Sequence, residues 1–221
     1  MDKLNINLRA LIERVEKKRI SVDRHKIIKI VAVSKYSNSD DVKAVYEYGQ
    51  RAFGENRVQD LKEKSNLLMD FPIEWHFIGR LQKNKINHLI EINPFLIQSI
   101  DSFELAIELD KRLKTKDRKI NGLIQINSSY EEQKAGLSPE EAVESFYKIR
   151  ESCPNIDLKG VMSIGTHSDD RAKIKKSFEL TRKIYDDLKN VNICSIGMSS
   201  DFELAIECGS NLIRVGSSIF K

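Results

Sequence analysis

Short apolar runs alternate along this chain with longer segments whose apolar residues recur every three or four positions. The short runs are typical of buried strands, and the longer segments are typical of helices that bury one face. Eight strand–helix units can be counted in this way. Their strands are predicted within the segments KIIKIVAVSK, RAFGEN, IEWHFIG, FLIQSIDS, KINGLIQINSS, IDLKGVMSIG, ICSIGMSS and NLIRVGSSIF.

This alternation predicts a parallel sheet, because each crossover helix returns the chain to the same end of the sheet. Eight units allow the sheet to close into a (β/α)8 TIM barrel. The alternative is an open doubly wound sheet, which usually begins with a glycine-rich turn, and no such turn follows the first strand. An additional amphipathic helix is predicted over residues 3–18. We therefore predict an α/β fold with a single domain over residues 1–221.

Local signals predict where several helices begin. Ser39 is expected to cap a helix that ends at Gly49. Ser200 and Glu203 have the spacing of a capping box, which places another helix start at Ser200. A third helix is predicted to open in the Ser-Pro-Glu-Glu segment at residues 138–141.

The composition is that of a soluble globular protein. Charged residues make up 32% and hydrophobic residues 40% of the 221 residues, and the net charge of +4 is spread in both signs along the chain. We see no basic stripe that would indicate nucleic acid, and no apolar run of signal-peptide or membrane-spanning length. We expect a cytoplasmic protein, and the charged surface favours a monomer. The three cysteines form no close pair and are predicted to be buried thiols, and the four histidines lack metal-ligand spacing.

Candidate chemistry is sought at the carboxyl ends of the strands, where (β/α)8 barrels carry their sites. Lys35 stands out there, because it directly follows an apolar strand and has small neighbours. One interpretation is an ordinary charged strand end. The other is a partly desolvated amine, which would be nucleophilic toward aldehydes. The residues expected at these ends are Lys35, Asn56, His76, Ser99, Asp101, Asn127, Met162, Ser163, Ser199, Arg214, Gly216 and Ser217.

The last two strands are followed by residues suited to a phosphate group. Ser199 and Ser200 are expected at a helix start, where free backbone N–H groups favour an anion. Gly216 lets a backbone amide approach a ligand closely, and Ser217 adds a hydroxyl donor. Strands seven and eight are the usual phosphate position in such barrels. The alternative is a pair of ordinary turns.

Together these residues suggest pyridoxal 5′-phosphate. Lys35 would form a Schiff base with the aldehyde, and Ser199, Gly216 and Ser217 would hold the phosphate. Arg214 shares a face of its strand with Gly216, so it could reach the pyridine nitrogen and keep it unprotonated. A salt bridge from Arg214 to a barrel carboxylate is the structural alternative.

Several longer motifs resemble one family. The segments AVSKYS, FGENRVQ, WHFIGRLQKNK, QSIDS, INSSYEEQKAGLSPEE, KGVMSIG, GMSSDFELAI and IRVGSSIF follow the order and spacing of the pyridoxal phosphate homeostasis protein family. The resemblance implies a barrel like the alanine racemase N-terminal domain, with pyridoxal 5′-phosphate bound as a Schiff base on Lys35. It implies phosphate contacts at Ser199, Gly216 and Ser217 and a ring-nitrogen contact at Arg214. It also places Asn56, His76, Asn84 and Lys85 in motifs near the barrel mouth. Of these four, Asn56 and His76 are expected to bind the cofactor.

The resemblance implies a non-enzymatic carrier that buffers or delivers the cofactor in vitamin B6 homeostasis, with apo-enzymes that need the cofactor as possible partners. The alternative is an amino-acid racemase of low activity. Racemisation needs an acid/base on each face of the substrate, and Tyr36 and Tyr130 are the local candidates for the second one. A third reading is a barrel for sugar or nucleotide phosphates, with Lys35 only as a charge partner. The chain departs from the family at Lys221, where a glycine is usual, and in the polar GVMSIGTHSDD segment.

Overall fold

A computed structural model describes residues 3–131, 133–166 and 168–221. Within these ranges eight parallel strands pair in chain order, and the eighth returns to the first, which closes a barrel. This confirms the predicted (β/α)8 fold and excludes the open sheet. The strands β1 to β8 are Lys29–Val33, Ala52–Glu55, Glu74–Phe77, Leu96–Ile100, Ile120–Ile126, Ile156–Ser163, Ile193–Ser195 and Leu212–Val215.

Helices cover the outside of the barrel, and an additional helix precedes β1 as predicted. This first helix buries Leu8, Leu11 and Val15 on one face, because their spacing of three and four residues matches the helical repeat. A 3-10 turn at Lys83–Lys85 leads into the fourth helix. The helices α1 to α9 are Lys3–Val22, Ser39–Glu47, Val58–Leu67, Ile86–Ile92, Phe103–Thr115, Ala142–Ser152, Arg171–Asp186, Phe202–Glu207 and Ser217–Phe220.

The apolar core has two parts. The larger part lies between the strands and the helices, and the smaller part fills the inside of the barrel. The two parts arise because neighbouring residues of a strand face opposite sides of the sheet. The inner part consists of Val31, Ala52, Leu96, Leu123, Met162 and Leu212.

Three predicted helix starts are wrong by one to four residues. The cap of α2 is Asn38 rather than Ser39, because the Asn38 side chain accepts a hydrogen bond from the Asp41 backbone N–H at 2.8 Å. Helix α8 begins after Asp201, whose carboxylate accepts from the Met198 N–H instead of capping the helix. Residues 138–141 form a turn in which the Ser138 N–H donates to the Glu141 carboxylate, so α6 begins later.

The three cysteines are free and buried, which confirms the prediction of buried thiols. Burial raises the pKa of each thiol, to about 12 for Cys194 and about 11 for Cys153 and Cys208. No group of His, Cys, Asp or Glu side chains in the described ranges is arranged to hold a metal ion, and His167 lies outside those ranges. No described helix has the length and apolarity that a membrane crossing requires.

Gly160 in β6 sits where the backbone leaves no room for a side chain. Its φ is +149°, and a Cβ there would lie 1.9 Å from the Ile193 carbonyl oxygen of β7. We expect Gly160→Ala to lower the free energy of unfolding by more than about 2 kcal/mol, through backbone strain and separation of the two strands. The matched control is Gly49→Ala, because Gly49 also has a positive φ (+107°) but open space around it. Urea denaturation of both variants measures the difference, and equal losses would contradict the steric argument.

Candidate functional site

A cavity of about 960 Å3 opens at the carboxyl end of the barrel. Its wall contains six of the seven residues predicted to bind the cofactor, contributed by the segments that follow β1, β2 and β7 and by β8 and its following turn. The alternation of residues within strands explains this, since Arg214 and Gly216 face the same side as predicted. The six residues are Lys35, Asn56, Ser199, Arg214, Gly216 and Ser217.

The amine of Lys35 is free of polar partners within the described ranges. Its Nζ lies 5.0 Å from the centroid of the Tyr36 ring and makes neither a hydrogen bond nor an ion pair with a described residue. The side chain is partly buried in the cavity wall. An amine in this position is available for a ligand, because no hydrogen bond or ion pair with a described residue must be broken first.

A buried ion pair fixes the backbone just before Lys35. Lys64 Nζ donates to Glu55 Oε1 and to the Ser34 carbonyl oxygen, both at 2.7 Å. Ser34 Oγ also donates to Glu55 Oε1 at 2.6 Å. Glu55 is fully buried, and the Lys64 side chain is 10% exposed. The pair therefore holds the end of β1, from which Lys35 extends.

This ion pair was not predicted from the sequence, although one signal pointed to it. Lys64 lies three and six residues after Leu61 and Val58, which places it on the buried face of α3. A lysine on the apolar face of an amphipathic helix needs a buried acidic partner. The partner could not be identified from spacing, because Glu55 belongs to a strand.

The turns after β7 and β8 meet in the cavity. The Gly216 N–H donates to Ser199 Oγ at 3.2 Å. A Cβ at Gly216 would lie 2.9 Å from the Val33 carbonyl oxygen, so only glycine allows this close approach to β1. Helix α9 begins at Ser217, and the N–H groups of Ser217 and Ser218 have no acceptor in a preceding helical turn. The result is a cradle of hydroxyl and amide donors that suits an anion.

Ser199 and Ser200 do not begin a helix, which corrects the sequence-based prediction. They lie in the turn before Asp201, and α8 starts only at Phe202. Burial raises the pKa of the Asp201 carboxyl, against the opposing effects of its bond from Met198 and the charge of Arg214. The helix start that lines the cavity is that of α9.

Arg214 is buried and has no carboxylate partner in the described part of the chain. Its Nη1 donates to the Ser195 carbonyl oxygen at 2.8 Å and to Ser195 Oγ at 2.5 Å, and its Nη2 donates to the Ser163 carbonyl oxygen at 2.8 Å. No described carboxylate lies within 4.0 Å, so the alternative of a salt bridge is wrong. Burial lowers the pKa of Arg214 to about 10, and the guanidinium still carries its charge at neutral pH. Arg214 lines the cavity, and these three hydrogen bonds use three of its five N–H donors.

His76 is not part of the cavity wall, which corrects the expectation of a direct cofactor contact. Its side chain is fully buried inside the barrel, and its Nδ1 lies 2.8 Å from Gln98 Nε2. Burial lowers the pKa of His76 to about 3, with a smaller contribution from the charge of Lys29. The 3-10 turn that carries Asn84 and Lys85 is exposed and is also outside the cavity wall.

The depressed pKa of His76 predicts a pH dependence of stability. Between pH 6.5, the ordinary value, and about 3, the unfolded chain binds one proton that the folded chain does not bind. Stability should therefore fall as the pH decreases through this window. We expect His76→Asn to remove this contribution. As the pH decreases through this window, the unfolding free energy of the wild type should fall by about 1.4 kcal/mol per pH unit more than that of the variant. Urea denaturation between these pH values tests it, and parallel curves would contradict it.

Two further lysines line the cavity. Lys134 Nζ donates to Glu131 Oε1 at 2.6 Å and to the Gly165 carbonyl oxygen at 3.1 Å. Lys221 is exposed at the rim. Lys35 differs from Lys134 because it has no hydrogen bond or ion pair with a described residue, which distinguishes it as the reactive candidate.

Comparison with known proteins places this site in a class. The family model described as "Alanine racemase, N-terminal domain" matches residues 6–221. Fold and site together define a (β/α)8 barrel of the alanine racemase N-terminal domain type. An alanine racemase from Clostridium difficile shares this fold, with a TM-score of 0.78 at 16% identity, over 100% of this chain and 56% of the racemase chain.

Curated relatives identify the family within this class. A pyridoxal phosphate homeostasis protein from Helicobacter pylori is 52% identical over 96% of both chains, and the human protein of the same name is 39% identical over 87% of this chain and 75% of its own. The chain belongs to the pyridoxal phosphate homeostasis protein family. The solved structure of PipY from Synechococcus elongatus with pyridoxal phosphate bound has a TM-score of 0.81 at 29% identity, covering 95% of this chain and 99% of that chain.

Proposed function

We propose that this protein binds pyridoxal 5′-phosphate and serves the homeostasis of vitamin B6. The observation that carries the proposal is one cavity that combines the free amine of Lys35, a cradle of donors at Ser199, Gly216 and Ser217, and the charged Arg214. These groups match an aldehyde, a phosphate and a pyridine nitrogen, respectively. The names of the curated relatives and the bound ligand of PipY support the same ligand.

The binding mode follows from the chemistry of the groups present. The Lys35 amine would condense with the aldehyde to a Schiff base with release of water. Ser217 and Ser218 at the start of α9 would receive the phosphate through their backbone N–H groups, and the Ser199 and Ser217 hydroxyls would add donors. Gly216 would position Ser199, because its own N–H donates to Ser199 Oγ. Arg214 would donate to the pyridine nitrogen and keep it unprotonated. A ring held in this state is a weak electron sink, which supports storage of the cofactor over demanding chemistry.

We propose a carrier that buffers or delivers the cofactor and has no catalytic reaction of its own. Delivery predicts that the loaded protein activates an apo-enzyme faster than free cofactor leaks from it. Equal rates would contradict delivery and leave buffering. The predictions of a monomer and of a cytoplasmic location belong to the same proposal, and sedimentation and cell fractionation would test them.

A racemase is the second candidate, and one observation bears on it. Tyr36 lines the cavity beside Lys35, as a second acid/base would need to do. Tyr130 is outside the cavity wall, and its phenol donates to Glu140 Oε1 at 2.6 Å. Racemisation of alanine well above that of free cofactor, and lost in Tyr36→Phe, would favour the enzyme.

The decisive experiment is an absorption titration with pyridoxal 5′-phosphate, followed by borohydride reduction and peptide mass mapping. We expect a yellow protein with the cofactor mass on the peptide that contains Lys35. Pyridoxal without phosphate should bind much more weakly, since it cannot use the cradle. A colourless protein without an adduct would contradict the proposal and favour the reading as a barrel for sugar or nucleotide phosphates.

A further inference from the structure

A chain of hydrogen bonds crosses the inside of the barrel and ends at Arg214. Arg214 Nη1 donates to Ser195 Oγ at 2.5 Å, and Ser195 Oγ donates to Gln98 Oε1 at 2.7 Å. Gln98 Nε2 lies 2.8 Å from His76 Nδ1. The four side chains come from β8, β7, β4 and β3, and all of them are buried. The chain therefore links the cavity wall to a histidine that does not reach the cavity.

The direction of every bond follows from Arg214. A guanidinium only donates, so Ser195 Oγ accepts from it and must send its single proton to Gln98. The Gln98 atom that faces Ser195 is then the carbonyl oxygen, and the amide NH2 faces His76. His76 Nδ1 must accept, and the imidazole is neutral with its proton on Nε2. The neutral state agrees with the low pKa that burial imposes on His76.

The chain also explains how a buried arginine keeps its charge for a ligand. Its three partners among the described residues are a hydroxyl and two backbone carbonyl oxygens, and all of them are neutral. Gln98 and His76 extend the series of hydrogen bonds with neutral groups, so no described member of it carries a negative charge that would offset the guanidinium charge. The positive charge of Arg214 thus remains available to a ligand in the cavity, and the hydrogen bonds to Ser195 and to the Ser163 carbonyl oxygen fix the orientation of the guanidinium.

We propose that Ser195, Gln98 and His76 are positioning residues that orient Arg214 toward the pyridine nitrogen of the cofactor. This inference rests on the proposed function, because it concerns how the same cavity holds the ring. The phosphate cradle and Lys35 would contact the other ends of the ligand. The chain therefore controls the electronic state of the ring and contributes modestly to binding.

The first test needs no cofactor. Nitrogen-15 NMR of the histidine side chains in the purified protein at neutral pH should show a His76 with a bare Nδ1 and a protonated Nε2. In Gln98→Glu the carboxylate can only accept, so the proton should move to His76 Nδ1 or both nitrogens should become protonated. A protonated Nδ1 in the wild type, or an unchanged signal in Gln98→Glu, would contradict the inferred direction of the hydrogen bonds between Arg214 and His76.

The second test measures the affinity for the cofactor and the visible absorption of its bound ring. We expect Ser195→Ala to weaken pyridoxal 5′-phosphate binding about fivefold, the usual effect of one buried hydrogen bond, and to shift the visible absorption band of the bound cofactor. Ser210→Ala is the matched control, because the Ser210 hydroxyl is equally buried but donates to backbone carbonyl oxygens within 3.3 Å. It takes no part in the series of hydrogen bonds from Arg214 to His76. It should move neither quantity.

The outcomes distinguish the proposed function from the positioning role of Ser195, Gln98 and His76. If the wild type neither turns yellow with the cofactor nor forms a borohydride-stable adduct, the proposed function is wrong. The NMR signal of His76 still tests the series of hydrogen bonds in that case. Equal effects of Ser195→Ala and Ser210→Ala on affinity and absorption would overturn the positioning role. An absorption shift confined to Ser195→Ala and Gln98→Glu would support it.

Discussion

Lys35→Ala is expected to abolish the covalent adduct that borohydride fixes between the protein and pyridoxal 5′-phosphate. The wild-type amine has no hydrogen bond or ion pair with a described residue and lies in the wall of the cavity, so its removal eliminates the group that attacks the aldehyde. For the same reason the variant should remain folded, with an unfolding free energy within about 0.5 kcal/mol of wild type. Absorption spectra and intact-protein mass before and after reduction measure the effect.

The other two lysines of the cavity are the matched controls. Lys134 is already bound to Glu131 and to the Gly165 carbonyl oxygen, and Lys221 is exposed at the rim. Lys134→Ala and Lys221→Ala should therefore retain the adduct on Lys35. Full trapping in Lys35→Ala, or loss of the adduct only in one of the controls, would show that Lys35 is a charged strand end and that another amine forms the bond.

Lys64→Met is expected to lower the free energy of unfolding by about 3–5 kcal/mol, because it leaves the buried Glu55 carboxylate without its cation. For a chain of this length the melting temperature should fall by roughly 10 °C. Lys64 also donates to the Ser34 carbonyl oxygen at 2.7 Å, directly before Lys35. The folded fraction of the variant should thus bind pyridoxal 5′-phosphate more weakly. Urea denaturation measures stability, and titration below the transition measures binding.

Two variants make this result interpretable. Lys175→Met removes an exposed ion pair, with Lys175 Nζ 3.5 Å from Glu179 Oε1 and both side chains more than half exposed, and it should cost less than about 1 kcal/mol. Adding Glu55→Gln to Lys64→Met removes the unpaired charge and should recover part of the lost stability. A loss for Lys64→Met as small as that for Lys175→Met would mean that Glu55 is not an uncompensated charge in the variant.

Much of the site could be predicted before the structure was considered. Parallel strands bring their carboxyl ends to one edge, so residues that follow β1, β7 and β8 had to approach one another once the eight-strand pattern was recognised. Lys35, Ser199 and Gly216 do line one cavity. The i, i+2 rule for strands also placed Arg214 on the same face as Gly216. Helix starts were less predictable, since a residue such as Asn38 competes with its neighbour Ser39 for the cap.

The sequence by itself determined the order of strands and helices and the edge on which the cavity lies, because these follow from the hydrophobic period and the parallel pattern. The structure excluded the open sheet. Only the tertiary structure decided which polar side chains meet. Gln98 and Ser195 are 97 residues apart and bond through the barrel interior, and Lys64 reaches Glu55 from a helix. Hydrophobic period reveals which face a residue occupies, whereas its partner across a barrel depends on strand stagger and packing. His76 shows the difference, since its strand was predicted and its distance from the cavity was not.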